Sequence, residues 1–288
     1  MKNYWRSLKM ITTLVIITIL GNTSYIPRLL AESVVSHNNS IKFMPPPPPP
    51  DRSAAGDRGE AASRGCGSSE QSLMALVPSY QQTIRFNEAE NIPVTKVWGL
   101  TTSEYPTFWF FIPYNPSSIM TMEFVLKDES QQPSKTIYRN FLNKPERPGI
   151  ISVSTDTNTP PLEISHKKQK KMYHWFLKVR VQCNPQQPAN LHFVEGWIER
   201  TDLNSELSDL EELREAARVE QPTPLEKIAF YAEKGIWHDT ATNLAELSLT
   251  NSKDNNVNFS AEWKSLLQSV DLENFANYPL IDCCESIR

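Results

Sequence analysis

Apolar and polar residues alternate through much of the first two thirds of this chain. In Tyr173–Cys183, residues Tyr173, Trp175, Leu177, Val179, Val181 and Cys183 share one face. His174, Lys178, Arg180 and Gln182 oppose them, with Phe176 the one exception. In Met120–Lys127, Met120, Met122, Phe124 and Leu126 oppose Thr121, Glu123 and Lys127. A period of two sends successive side chains to opposite faces, so both stretches predict half-buried strands of antiparallel sheets. Thr107–Pro113 (TFWFFIP) is apolar on both faces and predicts a central strand covered on both sides. Weaker strands fit Leu73–Val77, Thr95–Leu100, Thr136–Phe141, Ile150–Ser154 and Leu191–Ile198, with a bulge suggested at Gly196. Some seven or eight strands with no helix between them predict an immunoglobulin-like antiparallel β-sandwich over residues 66–200.

After Arg200 the period becomes 3.6. Leu203, Leu207, Leu210 and Leu213 form a helical stripe bordered by acidic residues. Thr223-Pro224-Leu225-Glu226 reads as a capping box with proline at the first helical position, and Gly235 as the stop. A second helix is expected over Trp237–Leu249, a third from the cap at Ser260 to about Ser269, and a short fourth over Leu272–Asn277. The GIWHDTATNLAEL segment is similar to a tetratricopeptide-type hairpin, with Thr240 where a smaller residue is usual. One such unit cannot bury its own face, so residues 201–288 are expected to form a helical subdomain docked on the sandwich. The predicted class is α+β.

The N-terminus reads differently. Lys2, Arg6 and Lys9 precede an apolar run from Met10 to Leu20. That run is too short for a membrane span, which needs about 20 residues, but suits the core of an export signal. Residues 1–31 are therefore expected to be a cleaved signal peptide. The mature chain is expected in the periplasm, on the envelope or outside the cell, with no stable transmembrane span. Residues 32–65 then read as a disordered, proline-rich tether. Pro45–Pro50 is a polyproline II rod of roughly 19 Å. DRSAAGDRGEAASRG after it has no apolar residue larger than alanine and cannot offset its ordering entropy. A ligand for a proline-binding domain is the sharper alternative.

Charge and composition narrow the function more than they name it. Net charge is −4, which supplies no field to gather nucleic acid, and only 9 glycines leave little for phosphate-cradling loops. No P-loop, dinucleotide, nucleophile-elbow or helix-borne zinc motif occurs, so no cofactor is expected. The four cysteines, Cys66, Cys183, Cys283 and Cys284, are disulfide candidates in an oxidising compartment. A bond between the neighbours Cys283 and Cys284 is strained. The expectation is a bridge from Cys66 to one of them, stabilising by about 4–5 kcal/mol in the chain-entropy view. Metal ligation lacks the short fixed spacings it needs. His166, His174, His192 and His238 read as surface histidines rather than bases, and Glu123, Glu195 and Glu199 as a solvated face rather than a carboxylate pair. The basic run from His166 to Lys171 reads as a hairpin loop, or more sharply as a contact for anionic lipid or acidic polysaccharide. Trp98, Tyr105 and Trp109 form a possible sugar-stacking platform, against which stands plain core packing.

Several segments taken in order carry a resemblance. They are the proline run with DRSAAGDRGEAASRGC, then LMALVP, GLTTSEYPTFWFFIPY, EFVLKDE, PGIISVS, YHWFLKV followed by QC, VEGWIER, YAEKGIWHDTATNLAEL and the terminal CC. The series resembles the cyanobacterial family known as domain of unknown function 928, over roughly residues 45–284. The resemblance implies an exported protein of undetermined activity and supplies no catalytic residue. The reading that follows is an exported, non-enzymatic module that binds another envelope protein. A carbohydrate-binding module is one alternative, and a hydrolase with an unrecognised carboxylate pair is the other. The latter requires an acid with a raised pKa in a concave pocket.

Overall fold

A computed structural model describes residues 40–47, 55–59, 72–85, 91–166, 170–203, 223–250 and 259–284. The expected export signal, Cys66 and most of the helix expected after Leu203 lie outside the described residues. Among the described residues the chain forms β1 (Met74–Ala75), β2 (Ser79–Arg85), β3 (Asn91–Thr101), β4 (Thr107–Ile112), β5 (Ile119–Asp128), β6 (Lys135–Phe141), β7 (Gly149–Ser154), β8 (Tyr173–Val181) and β9 (Asn190–Arg200). Three helices follow, α1 (Pro224–Glu233), α2 (Trp237–Thr250) and α3 (Phe259–Gln268), then β10 (Leu280–Ile281). The class is α+β, as the change of period predicts. A short 3₁₀ turn at Glu273–Phe275 stands where a fourth helix was expected.

Two sheets result. The larger has the order β2-β3-β9-β8-β5-β6 and the smaller β1-β4-β7-β10. Both are mixed rather than antiparallel, because β3 runs parallel to β9 and β10 parallel to β7. Those pairings join segments far apart in sequence, which alternation cannot register. Strand β4 lies between two layers. Phe108 and Phe110 meet Phe124 and Trp175 of the larger sheet, at ring separations of 4.9 and 5.7 Å. Trp109 meets Trp263 of α3 at 6.1 Å, and Phe111 meets Phe275 at 5.2 Å. Its apolar character on both faces follows from that position.

Gly196 does not mark a bulge: β8 and β9 pair in continuous register through Trp175 and Gly196. The glycine makes room instead. A methyl there would run into the Trp175 ring and come within 2.7 Å of Val97 Cγ1. The register shifts lie in β5, beside Thr121 and between Leu126 and Lys127.

The capping box forms as read. Glu226 N donates to Thr223 Oγ1 at 3.2 Å, and Thr223 N donates to Glu226 Oε2 at 2.7 Å. Gly235 ends α1 with φ of 73°, a conformation that favours glycine.

Two pieces of the expected tether are packed. Ile41 and Phe43 are buried, and Phe43 stands edge-on to Trp237 at 5.1 Å. Ile41 N donates to Glu262 at 2.6 Å, and Met44 N to Ala232 O at 3.0 Å. Further on, residues 55–57 enter the larger sheet where β3 and β9 diverge. Gly56 N donates to Thr95 O at 3.1 Å, while Asp57 and Glu195 exchange a pair of backbone hydrogen bonds. Arg58 is buried next to this insert and donates to Val270 O at 2.8 Å. The alternation Ile41-Lys42-Phe43 was the local signal for the first piece. Nothing apolar marks the second, which is held by backbone.

Candidate functional site

The loop joining β3 to β4 is tied to the first turn of α2. Thr101 Oγ1 donates to Asp239 Oδ2 at 2.7 Å, and Thr102 N reaches both carboxylate oxygens at 3.1 and 3.2 Å. The Thr102 hydroxyl donates to Oδ1 as well. Burial pushes the Asp239 carboxyl up from its usual range, and these hydrogen bonds pull it back part of the way. Beyond the clamp opens a cleft of about 290 Å³, whose lining includes Ser103, Tyr105, Thr242, Asn243 and Glu246 together with Asp239.

Next to it, His238 is sealed in. Its Nδ1 lies 3.2 Å from Thr107 O, and a carbonyl only accepts, so Nδ1 carries the proton. Nε2 abuts Gly99 and has no hydrogen-bond partner among the described residues. Burial pushes the imidazole down to about 4. A histidine held this way is neutral at ordinary pH, and its basic nitrogen faces backbone rather than solvent.

The stacking trio separates. Trp98 is buried in a small cluster with Met172 and Trp197. Trp109 is buried against Trp263, its Nε1 donating to Thr242 Oγ1 at 3.1 Å. Only Tyr105, half-buried, lines a cleft. The three therefore form no shared exposed surface, because Trp98 on β3, Tyr105 in the β3–β4 loop and Trp109 on β4 each face different surroundings.

The outer face of the larger sheet is the second region of interest. Register places Phe141, Glu123, Lys178 and Phe193 in one row across β6, β5, β8 and β9. Leu191 and Arg180 begin the next row. Phe141, Phe193 and Leu191 are exposed, as is Met120 at the β5 register shift. Each carboxylate singled out in the sequence lies beside a lysine, arginine or histidine side chain. Glu123 meets Arg139 at 2.5 Å and Lys178 at 3.8 Å. Glu195 meets His174 Nε2 at 2.9 Å, and Glu199 meets Lys170 at 3.7 Å. Of the basic run, Lys171 is buried and lies 3.3 Å from Glu163, and residues 167–169 lie outside the described residues. His174 stacks on Trp197 at 4.2 Å and 11°, and Lys127 sits over the Phe176 ring.

The pairing of the C-terminal cysteines differs from expectation. Cys283 and Cys284 are bonded to each other, with Cα atoms 3.7 Å apart. Cys284 is buried and takes a φ of 79°. Cys183 is also disulfide-bonded, but β8 ends at Val181 and Cys183 is exposed rather than on the inner face. Among the described residues no three His, Cys, Asp or Glu side chains gather as a metal would need, and no helix is long and apolar enough to cross a membrane.

Sequence reasoning passed over Asp239, Thr242 and Asn243. Their signal was polar side chains within the HDTATN run at the start of an otherwise apolar-faced helix, opposite the hydroxyl-rich TTS segment. A family model described as Domain of Unknown Function (DUF928) matches residues 54–280. No curated protein and no solved structure matches the chain.

Proposed function

The chain belongs to the DUF928 family, and we propose that it is an exported, non-catalytic module that binds another envelope protein through the outer face of its larger sheet. The observation that carries this reading is the exposed set Phe141, Phe193, Leu191 and Met120 on and beside that face. Large apolar side chains exposed on a solvated sheet face, here interleaved with Glu123 and Lys178, suit an interaction surface of mixed character. The same face carries Lys127, Arg139, Lys178 and Arg180 against Glu123, Glu195 and Glu199, a small cationic excess that favours a partner with an apolar, acidic patch. Export rests on the basic head and short apolar run of residues 1–31. In this reading the two sheets are an elaborated immunoglobulin-like sandwich and α1–α2 a tetratricopeptide-like hairpin, both as fold-level analogies.

Capture from envelope extract tests the proposal. Wild type is expected to retain a partner that the double variant Phe141→Asp/Phe193→Asp loses, while both unfold at the same temperature. Equal capture by the two proteins would refute the surface assignment. Mature protein that begins at Met1 would refute export. A hydrolase is the second reading, favoured by the raised Asp239 carboxyl at a concave site. Against it, both Asp239 oxygens already accept hydrogen bonds from the β3–β4 loop.

A further inference from the structure

We propose that the cleft between the β3–β4 loop and α2 binds one ring of a neutral sugar. The site is independent of the sheet face and stands on its own observations. Its volume of about 290 Å³ lies at the small end of ligand sites, on the scale of a single ring rather than an extended chain.

The lining selects the chemistry. Asp239 and Glu246 border the cleft, and no lysine or arginine does among the described residues, so anionic ligands are repelled. No long aliphatic side chain lines it either, which disfavours an acyl chain. What remains is hydroxyl, amide and aromatic. Thr242 Oγ1 accepts from Trp109 Nε1 at 3.1 Å, leaving its own hydrogen to donate. Ser103 Oγ accepts from Tyr105 N at 3.1 Å and is poised in the same way. Asn243 donates its amide to Asp239 O at 2.7 Å, which leaves its carbonyl oxygen to accept. Sugar hydroxyls both donate and accept, so they match such a mixed lining. Tyr105 and Pro106 supply an apolar wall for the C–H face of a ring. Both walls are held before any ligand arrives, by the Asp239 clamp on one side and the Trp109–Thr242 bond on the other. Preorganisation of this kind lowers the cost of binding.

The test is calorimetric titration of the whole mature protein with glucose, galactose, xylose and N-acetylglucosamine, with glucuronate and putrescine as charged controls. At least one neutral sugar is expected to bind saturably, in the millimolar range or tighter. Tyr105→Ala is expected to weaken it about tenfold, a contact of the size an aromatic ring provides. Asn243→Ala, on the exposed side of α2, is expected to weaken it with no change in unfolding temperature, which keeps the test valid if the tyrosine variant folds poorly. Glucuronate is expected to bind at least tenfold more weakly than the best neutral sugar. No saturable binding by any neutral sugar, binding unchanged in Asn243→Ala, or equal binding of either charged control would overturn the proposal.

Discussion

Strand β4 of the smaller sheet sends Phe108 and Phe110 to one layer and Trp109 and Phe111 to another, and every residue after Thr107 is buried. Strand β8 of the larger sheet buries Trp175, Leu177 and Val179 but turns Phe176, Lys178 and Arg180 outward. The difference is one of covering. β4 has a sheet on one side and helices on the other, so both of its faces stabilise the fold. β8 has a single covered face, and its second face is partly open to solvent. Residues of the same chemical type thus have different places: Phe110 is packed between layers, whereas Phe193 stands exposed on the open face.

The largest expected effect lies on the covered side. Trp175→Ala removes a ring that packs on Phe108 and Phe110 and should cost about 3–5 kcal/mol in urea unfolding. A loss below about 1 kcal/mol would erase the distinction between the two faces. Next comes pH. The native state keeps His238 neutral down to about 4, while the unfolded chain takes up that proton near the ordinary value of 6.5. Between those values the unfolded state binds more protons. Stability is therefore full above 6.5 and declines by about 3 kcal/mol as pH falls to 4. Asp239 opposes this in the acid part of the range, because its raised carboxyl takes up a proton in the native state first. Unfolding curves at pH 7, 5.5 and 4 should show the fall, and His238→Gln should flatten it.

Gly196→Ala is the third test. It pushes a methyl into Trp175 and Val97 without touching the outer side chains, and about 1–3 kcal/mol of destabilisation is expected. Smallest is Phe193→Ser on the open face, which should shift stability by no more than about 0.5 kcal/mol. A larger loss would mean that the outward phenylalanine supports the fold, and would blur the comparison.

Strands whose alternation reports a single buried face were legible from the residues, as were the doubly apolar β4 and the Thr223 cap. β2 was not. Its sequence SYQQTIR is polar because it lies at the edge of the sheet, where pairing with β3 rather than burial defines it. β10 is two residues long and exists only through its partner β7. The candidate cleft was half legible. Tyr105 was singled out, but for a platform that falls apart because Trp98 and Trp109 are buried in separate clusters. Asp239 and Thr242 stayed hidden because their partners, Thr101 and Trp109, lie well over a hundred residues earlier. Distance in sequence likewise concealed the insertion of residues 55–57.

That insertion has a consequence for the order in which the molecule can be assembled. Arg58 waits for Val270, 212 positions away, and Ile41 waits for Glu262, 221 positions away. Leu76 must likewise await the indole of Trp237. Contacts so remote slow the search for the native state and leave aromatic strands bare in the interval. A nascent chain halted short of the final helix would lack the means to lock its own beginning. Chopping the gene at an apparent boundary near residue 200 should yield insoluble fragments rather than two working halves.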